Sequence, residues 1–396
     1  MSVYLDHAAT TPIYPEAAAA MSAQLHNVGN PSSLHASGRA ARRVVEESRE
    51  TIARALGARP GEIVFTSGGT EANNLAIKGC YWHRRREDGR RTRIIASQVE
   101  HHAVLDQLHW LANEQQAEVN LVPVDSLGQI DLAALQAAIE ADPDSVALIS
   151  VMWANNEVGT VQPIADVVAL AEPHGIPVHT DAVQAVGQLP VDFAKAGVDA
   201  LTLTGHKVGG PFGVGALAVR RELAITPLIH GGGQERDIRS GTIDAPAIAG
   251  FATAVELAVS RQQQLATRLT ALRRRLVEGV LSVVPDAICT GAIDTNPELR
   301  LPGNAHLRFP NCEGDSLLML LDAKGIECST GSACDAGVAQ ASHVLLAMGC
   351  SDEEARTSLR FSMGHTTTEA DVDALVAAIG PAVDRARAAV RVMRGR

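Results

Sequence analysis

Residues 181–207, DAVQAVGQLPVDFAKAGVDALTLTGHK, decide how the rest of the chain is read. An acid, Asp181, closes one predicted strand (176–180). A lysine, Lys207, follows the next (200–204) through a Thr-Gly-His-Lys turn. Neighbouring strand ends in an α/β sheet open onto one crevice, the usual place for a bound small molecule. Working outward, β and α patterns alternate. Strands are predicted at 62–67, 93–98, 118–124, 146–154 and 215–220. Helices are predicted at 37–56, 70–86, 101–113, 131–142 and 163–174. That rhythm predicts an α/β fold: a mostly parallel sheet flanked by helices. The apolar runs VALISVMW and ALTLT suit strands covered on both faces.

Residues 245–280 read as one long helix, after which the periodicity changes. Short strands (306–309, 358–363) then mix with helices (316–323, 342–348, 369–390). The expectation is a large domain over 16–260 and a smaller α+β domain over 261–396, with the segment 1–15 packing on the latter.

At 396 residues with 46% hydrophobic and 20% charged content, the chain can bury a large core. A formal net charge of −11 argues against general nucleic-acid binding, and no apolar run reaches membrane-spanning length. The opening MSVYLDHAATTP lacks the layout of a secretory leader. Six cysteines without a CxxC pair fit a reduced, cytoplasmic protein and give no metal-site pattern. Cys80 and Cys289 lie in apolar patterns that predict burial. The arginine clusters at 84–93 and 385–396 read as solvated helix ends or tails.

Several groups could carry chemistry. Among 34 basic residues only Lys78, Lys195, Lys207 and Lys324 are lysines, and Lys207 alone sits at a strand end ahead of a glycine-rich stretch. A lysine that forms a Schiff base and an acid that holds a ring nitrogen protonated are the pair pyridoxal phosphate (PLP) requires. A solvated lysine is the competing account. TSGGTEANN (66–74) turns a strand into a helix N-terminus that could hold phosphate, or is simply a turn and cap. Asn155, Asn156 and Glu157 follow another strand and read equally well as ligand contacts or an Asn-stabilised turn. His101 could lie on an aromatic ring or cap its helix. HGGGQERDIRSGT (230–242) is a loop with phosphate or partner contacts, or a mobile one. Cys334, amid small residues in IECSTGSACDAG (326–337), suits a travelling thiol. Arg360 on an apolar strand needs an anion, either a substrate carboxylate or a structural partner.

Together these stretches resemble the cysteine desulfurases of the NifS/IscS type, within the fold-type I PLP enzymes related to class V aminotransferases. The likeness rests on YLDHAATTP, GNPSSLH, EIVFTSGGTEANNLAIKG, VEHHAVLD, ANNEVGTVQPI, HTDAVQAVGQLP, TGHKVGGPFGVGAL, HGGGQERDIRSGT, STGSAC and SLRFSMGHTTTEADVD. The resemblance implies that Lys207 carries the cofactor, Asp181 faces its ring nitrogen and His101 stacks on the ring. It places Gln184 and Asn156 at the ring oxygen, and Gly69, Thr70, Thr204 and His206 at the phosphate. Thr242 would join them from the neighbouring subunit of a homodimer. Arg360, with Asn156, would bind the carboxylate of L-cysteine, and Cys334 would take its sulfur for an acceptor protein. That acceptor would be an iron–sulfur scaffold or a tRNA-thiolating enzyme. Thr204 stands where many relatives carry Ser. Asp335 replaces a frequent Thr and puts a carboxylate beside the thiol. A class V aminotransferase or a selenocysteine lyase is the nearest alternative.

Overall fold

The computed structural model describes residues 2–292, 299–331 and 341–394. After a two-residue strand, β1 (Val3–Tyr4), and two helices, seven strands build the main sheet. They are β2 (Ile63–Thr66), β3 (Arg93–Ser97), β4 (Glu118–Val122), β5 (Val146–Ser150), β6 (Val178–Asp181), β7 (Ala200–Thr204) and β8 (Gly215–Val219). Their spatial order is β2-β8-β7-β6-β5-β3-β4. Only β8 runs antiparallel to its neighbours, so the sheet is mostly parallel, as its continuous apolar strands predict. Every residue of β5, β7 and β8 is buried.

Several predicted elements end sooner than the apolar pattern suggests. β4 stops before Pro123, which has no N–H to donate. β5 covers five residues of the predicted nine, although Val151 and Trp153 still donate to the His179 and Asp181 carbonyls of β6 as the chain turns into the crevice wall. The helix expected over 245–280 is two, Ala245–Ser260 and Gln262–Val283. The break falls at Arg261, whose guanidinium leaves the helix line to pair with Glu16 and lie 5.6 Å over the Tyr14 ring. Apolar periodicity carries no signal for such a bend.

Beyond that break, strands β9 (Ile288–Cys289), β10 (Asn304–Arg308) and β12 (Ser358–Ser362) form an antiparallel sheet. Strand β11 (Ile326–Glu327) pairs in parallel with β1. Cys289, expected to be buried, is exposed, because β9 is a two-residue edge strand. Cys80 is buried as predicted.

Of five apolar cores among the described residues, two share the N-terminal segment. One joins Tyr14 and Ala17 with the main sheet and its helices, including Phe251 and Val255. The other collects Leu5, Leu269, Leu276, Phe361, Leu375 and Ile379 around the small sheet. The first seventeen residues contribute to both, with Leu5 in one and Tyr14 in the other. No described helix is long and apolar enough to cross a membrane.

Candidate active site

The carboxyl ends of β3, β5, β6 and β7 and the segment after β2 face one cavity of about 340 Å³. It is lined by Gly69, Thr70, His101, Asn156, Asp181, Gln184, Thr204, His206, Lys207 and Arg360. Thus residues spread over almost 300 positions of sequence converge on one space. Two expected members are not in it. Thr242 lines a separate cavity of about 620 Å³, together with His26, Asn27 and Ser37. Cys334, with Asp335 beside it, lies outside the described residues.

Lys207 leaves β7 through a tight turn, Gly205–Lys207. That turn closes only because residue 205 is glycine: a Cβ there would meet the Pro211 carbonyl oxygen at 2.5 Å. The amine of Lys207 donates to the backbone carbonyls of Ala8 and Ala9. Burial, then the nearby Arg360 charge, brings its pKa down to about 8, while Asp6 and Asp181 oppose the shift. The lysine therefore supplies an appreciable fraction of neutral, nucleophilic amine near neutral pH.

Asp181 ends β6 as a buried carboxylate. Its Oδ2 accepts from Asn73 Nδ2 at 2.7 Å and its Oδ1 from the Val183 N–H at 3.0 Å. These two donors hold its plane. Asn73 carries no sequence signal beyond its place in TEANN, four residues after Gly69 on the same helix face. His101 caps the helix His102–Gln115, its Nδ1 accepting from the Ala103 N–H at 3.0 Å. The neutral ring then carries its proton on Nε2. Burial lowers its pKa, with Asp181 opposing and Lys207 reinforcing the shift. Of the two sequence readings of His101, the cap is observed, and the residue also lines the cavity.

The phosphate candidates cluster at the start of the helix Gly69–Glu87, whose first N–H groups have no partners within the helix. The first intrahelical bond is Ala72 N–H to the Gly68 carbonyl. Thr204 Oγ1 contacts the Val214 carbonyl, and His206 stacks on Phe212 at 5.5 Å. Burial, then Lys207, lowers the His206 pKa to about 4. Glu71 would repel an anion here. Instead it accepts from Arg239 at 2.8 Å and from the Ser67 N–H. Arg239 comes from the 230–242 loop, which is therefore tied down rather than free.

Arg360 sits on β12, its side chain 5% exposed. Its anion partner is Asp6, Nη2 to Oδ1 at 2.7 Å, while Nη1 donates to the Asn156 carbonyl at 3.1 Å. Gln184 Nε2 donates to the Ala8 carbonyl at 2.9 Å. The segment 6–10 thus contacts Arg360, Gln184, Lys207 and, through Thr10, His206. Glu100, next to His101 in sequence, is not among the cavity's lining residues. It is fully buried, and its Oε1 accepts from the Met152 N–H at 2.6 Å. Burial pushes its carboxyl well above the usual range, beside His101.

These residues suit PLP. A cavity-facing lysine with a depressed pKa, a buried carboxylate held by two donors one strand away, and an open helix N-terminus match its aldehyde, ring nitrogen and phosphate respectively. Among the described residues no cluster of metal-ligating side chains competes for the space.

Comparison with known proteins agrees. The family described as Aminotransferase class-V matches residues 3–375. The chain is 56% identical, over 99% of both chains, to the IscS-like cysteine desulfurase of Mycobacterium tuberculosis. A solved NifS-like protein superposes with a TM-score of 0.89 at 36% identity, covering 97% of this chain and all of the other. A structure described as SspA in complex with cysteine aligns over 92% of this chain and 99% of its own, with a TM-score of 0.78 at 35% identity. The chain belongs to the PLP-dependent class V aminotransferase family, and within it to the cysteine desulfurases of the NifS/IscS type.

Proposed function

We propose that this chain is a cysteine desulfurase that converts L-cysteine to L-alanine and passes the sulfur onward through a persulfide on Cys334. The observation that carries the reading is the placement of Lys207 and Asp181 at the ends of adjacent parallel strands, in one cavity with Arg360. When bound, PLP supplies an electron-withdrawing ring that stabilises charge developing on the substrate.

The protein's own groups do the rest. Lys207 attaches the cofactor and, once released, takes the α-proton on Nζ and returns it. Its pKa of about 8 suits both directions near neutral pH. Asp181 would face the ring nitrogen, and His101 and Gln184 would hold the ring. The helix start at Gly69 and Thr70, with Thr204 and His206, holds the phosphate. Arg360 and Asn156 orient the substrate carboxylate. Cys334 Sγ, as thiolate, bonds to the substrate sulfur while the carbon–sulfur bond breaks, and alanine departs after reprotonation.

The acceptor is a second protein, such as an iron–sulfur scaffold or a tRNA-thiolating enzyme, and the setting is cytoplasmic. A homodimer is part of the proposal. Leu25, Val28 and Leu34 are 59%, 87% and 85% exposed near the Thr242 cavity, an apolar surface suited to a second copy. Thr242 then reaches the phosphate from the neighbouring subunit. The division into 16–260 and 261–396 accords with the helix break at Arg261.

Mass spectrometry after L-cysteine treatment tests the reading: the Cys334 peptide should gain one sulfur atom, and alanine should appear in solution. Cys334→Ser should retain the bound cofactor and lose sulfur transfer. Undiminished transfer by that variant would point to another thiol, Cys328 first.

A further inference from the structure

Arg360 meets an internal carboxylate before any substrate arrives. Asp6 lies 354 residues away in sequence, yet pairs with Arg360 at 2.7 Å. Its backbone is fixed on both sides: residue 6 bridges to Ser362 on β12, and the Tyr4 hydroxyl donates to the Asp6 carbonyl at 3.1 Å. A second acid, Glu157, lines the cavity beside the arginine stem. A Cβ at Gly331 would touch Arg360 Cβ and Glu157 Cβ at 3.7 Å each. Glu157 is itself held by the Ser342 hydroxyl. Asp6 therefore occupies the guanidinium directly, and Glu157 adds an acid to the cavity wall.

Charge accounting gives a consequence for selectivity. Asp6 offsets the guanidinium charge and fixes its rotation, leaving a second hydrogen on each terminal nitrogen for an incoming carboxylate. Once one α-carboxylate docks, a further anionic group on the ligand faces Asp6 and Glu157 with no unmatched cation on Arg360. We propose that Asp6 is a positioning and specificity residue. It sets Arg360 for a single α-carboxylate and turns away amino acids bearing a second negative charge. The inference rests on the desulfurase reading only for the identity of the natural substrate, L-cysteine.

L-Alanine and L-aspartate differ by one carboxylate and serve as the probes, with the absorbance change of the cofactor-loaded enzyme reporting each apparent dissociation constant. The wild type should bind alanine more tightly than aspartate. Asp6→Asn removes the charge at nearly constant shape and should reduce that preference about tenfold, as expected for unit charges several ångströms apart in a partly screened site. Asp6→Ser removes the same charge with a smaller side chain and should do likewise. Asp6→Glu should keep the wild-type ratio even if both affinities weaken. A merely structural role would weaken both ligands alike and leave the ratio unmoved. Ratios for the Asn and Ser variants within about twofold of wild type would overturn the assignment. A wild type that shows the charge preference yet yields no alanine from cysteine would instead sink the desulfurase reading and leave Asp6 standing.

Discussion

Lys207 shows what one residue's surroundings do to its chemistry. An ordinary lysine amine, at 10.5, is almost wholly protonated at neutral pH, whereas burial and Arg360 bring this one to about 8. Because the neutral amine is the nucleophile, reconstitution of cofactor-free protein with PLP should quicken with rising pH and level off just above 8. A rate still climbing toward 10.5 would contradict the depressed value. Glu100 gives a second prediction. Its folded pKa is raised, so above the ordinary carboxyl value the unfolded chain releases a proton that the folded chain keeps. Stability from this group is full at low pH and is lost as pH rises. Glu100→Gln should therefore gain stability relative to wild type as pH rises above the ordinary carboxyl value, read as melting temperature against pH; parallel curves would rule the raised value out. Lys207, Asp181 and His101 were legible in sequence because each stands next to its own strand end or helix cap. Asp6, Asn73 and Glu100 were not, since their roles depend on partners 52 to 354 residues away. Cys289 misled for a related reason: its neighbours are apolar, but two edge-strand residues cannot cover themselves.

At the scale of elements, the strands and helices were readable wherever periodicity ran unbroken, and the errors cluster at bends. The 230–242 loop is the instructive case. Its run of glycines left a tethered loop and a mobile one both open, yet Glu235 is 1% exposed and anchors it. Arg49, from the helix Ala36–Leu56, grips both oxygens of Glu235 at 2.7 Å, and Glu235 also accepts the Phe65 N–H of β2. The guanidinium lies 4.7 Å over the Phe65 ring. Removing one partner of such a buried pair strands the other charge. Arg49→Met should thus cost about 3 kcal/mol in a denaturant titration, far beyond the few tenths expected from the exposed Arg54–Glu256 pair. Within the main sheet, His179 contacts Ser150 at 2.9 Å and Thr202 at 3.1 Å, linking β5, β6 and β7 beneath Asp181. His179→Phe leaves both hydroxyls unpaired and should cost about 2 kcal/mol by the same measurement. No change in the unfolding midpoint would refute the bridge.

Across the whole molecule, the α/β class followed from alternating patterns, and the site's location followed from the rule that ligands sit at the carboxyl ends of parallel strands. The N-terminal segment was the part least legible. It lacks periodicity, yet it supplies a strand to β11, a residue to each core and a carbonyl to Gln184. Deleting residues 2–11 should leave far-UV helicity largely intact while weakening retention of PLP on dialysis about tenfold, the effect of losing one or two site hydrogen bonds. The pairing of this segment with β11 and β12 also bears on biosynthesis. Leu5 donates to the Glu327 carbonyl and accepts from the Ser362 N–H, so this segment finds its partners among residues made more than three hundred positions later. At about 5–20 residues per second, the 354 positions separating Asp6 from Arg360 correspond to roughly 20 to 70 s of translation. During that interval the nascent chain can own a finished central sheet, Lys207 included, yet lack the guanidinium that Asp6 is placed to meet, so the carboxylate waits in the half-built crevice for its counter-charge.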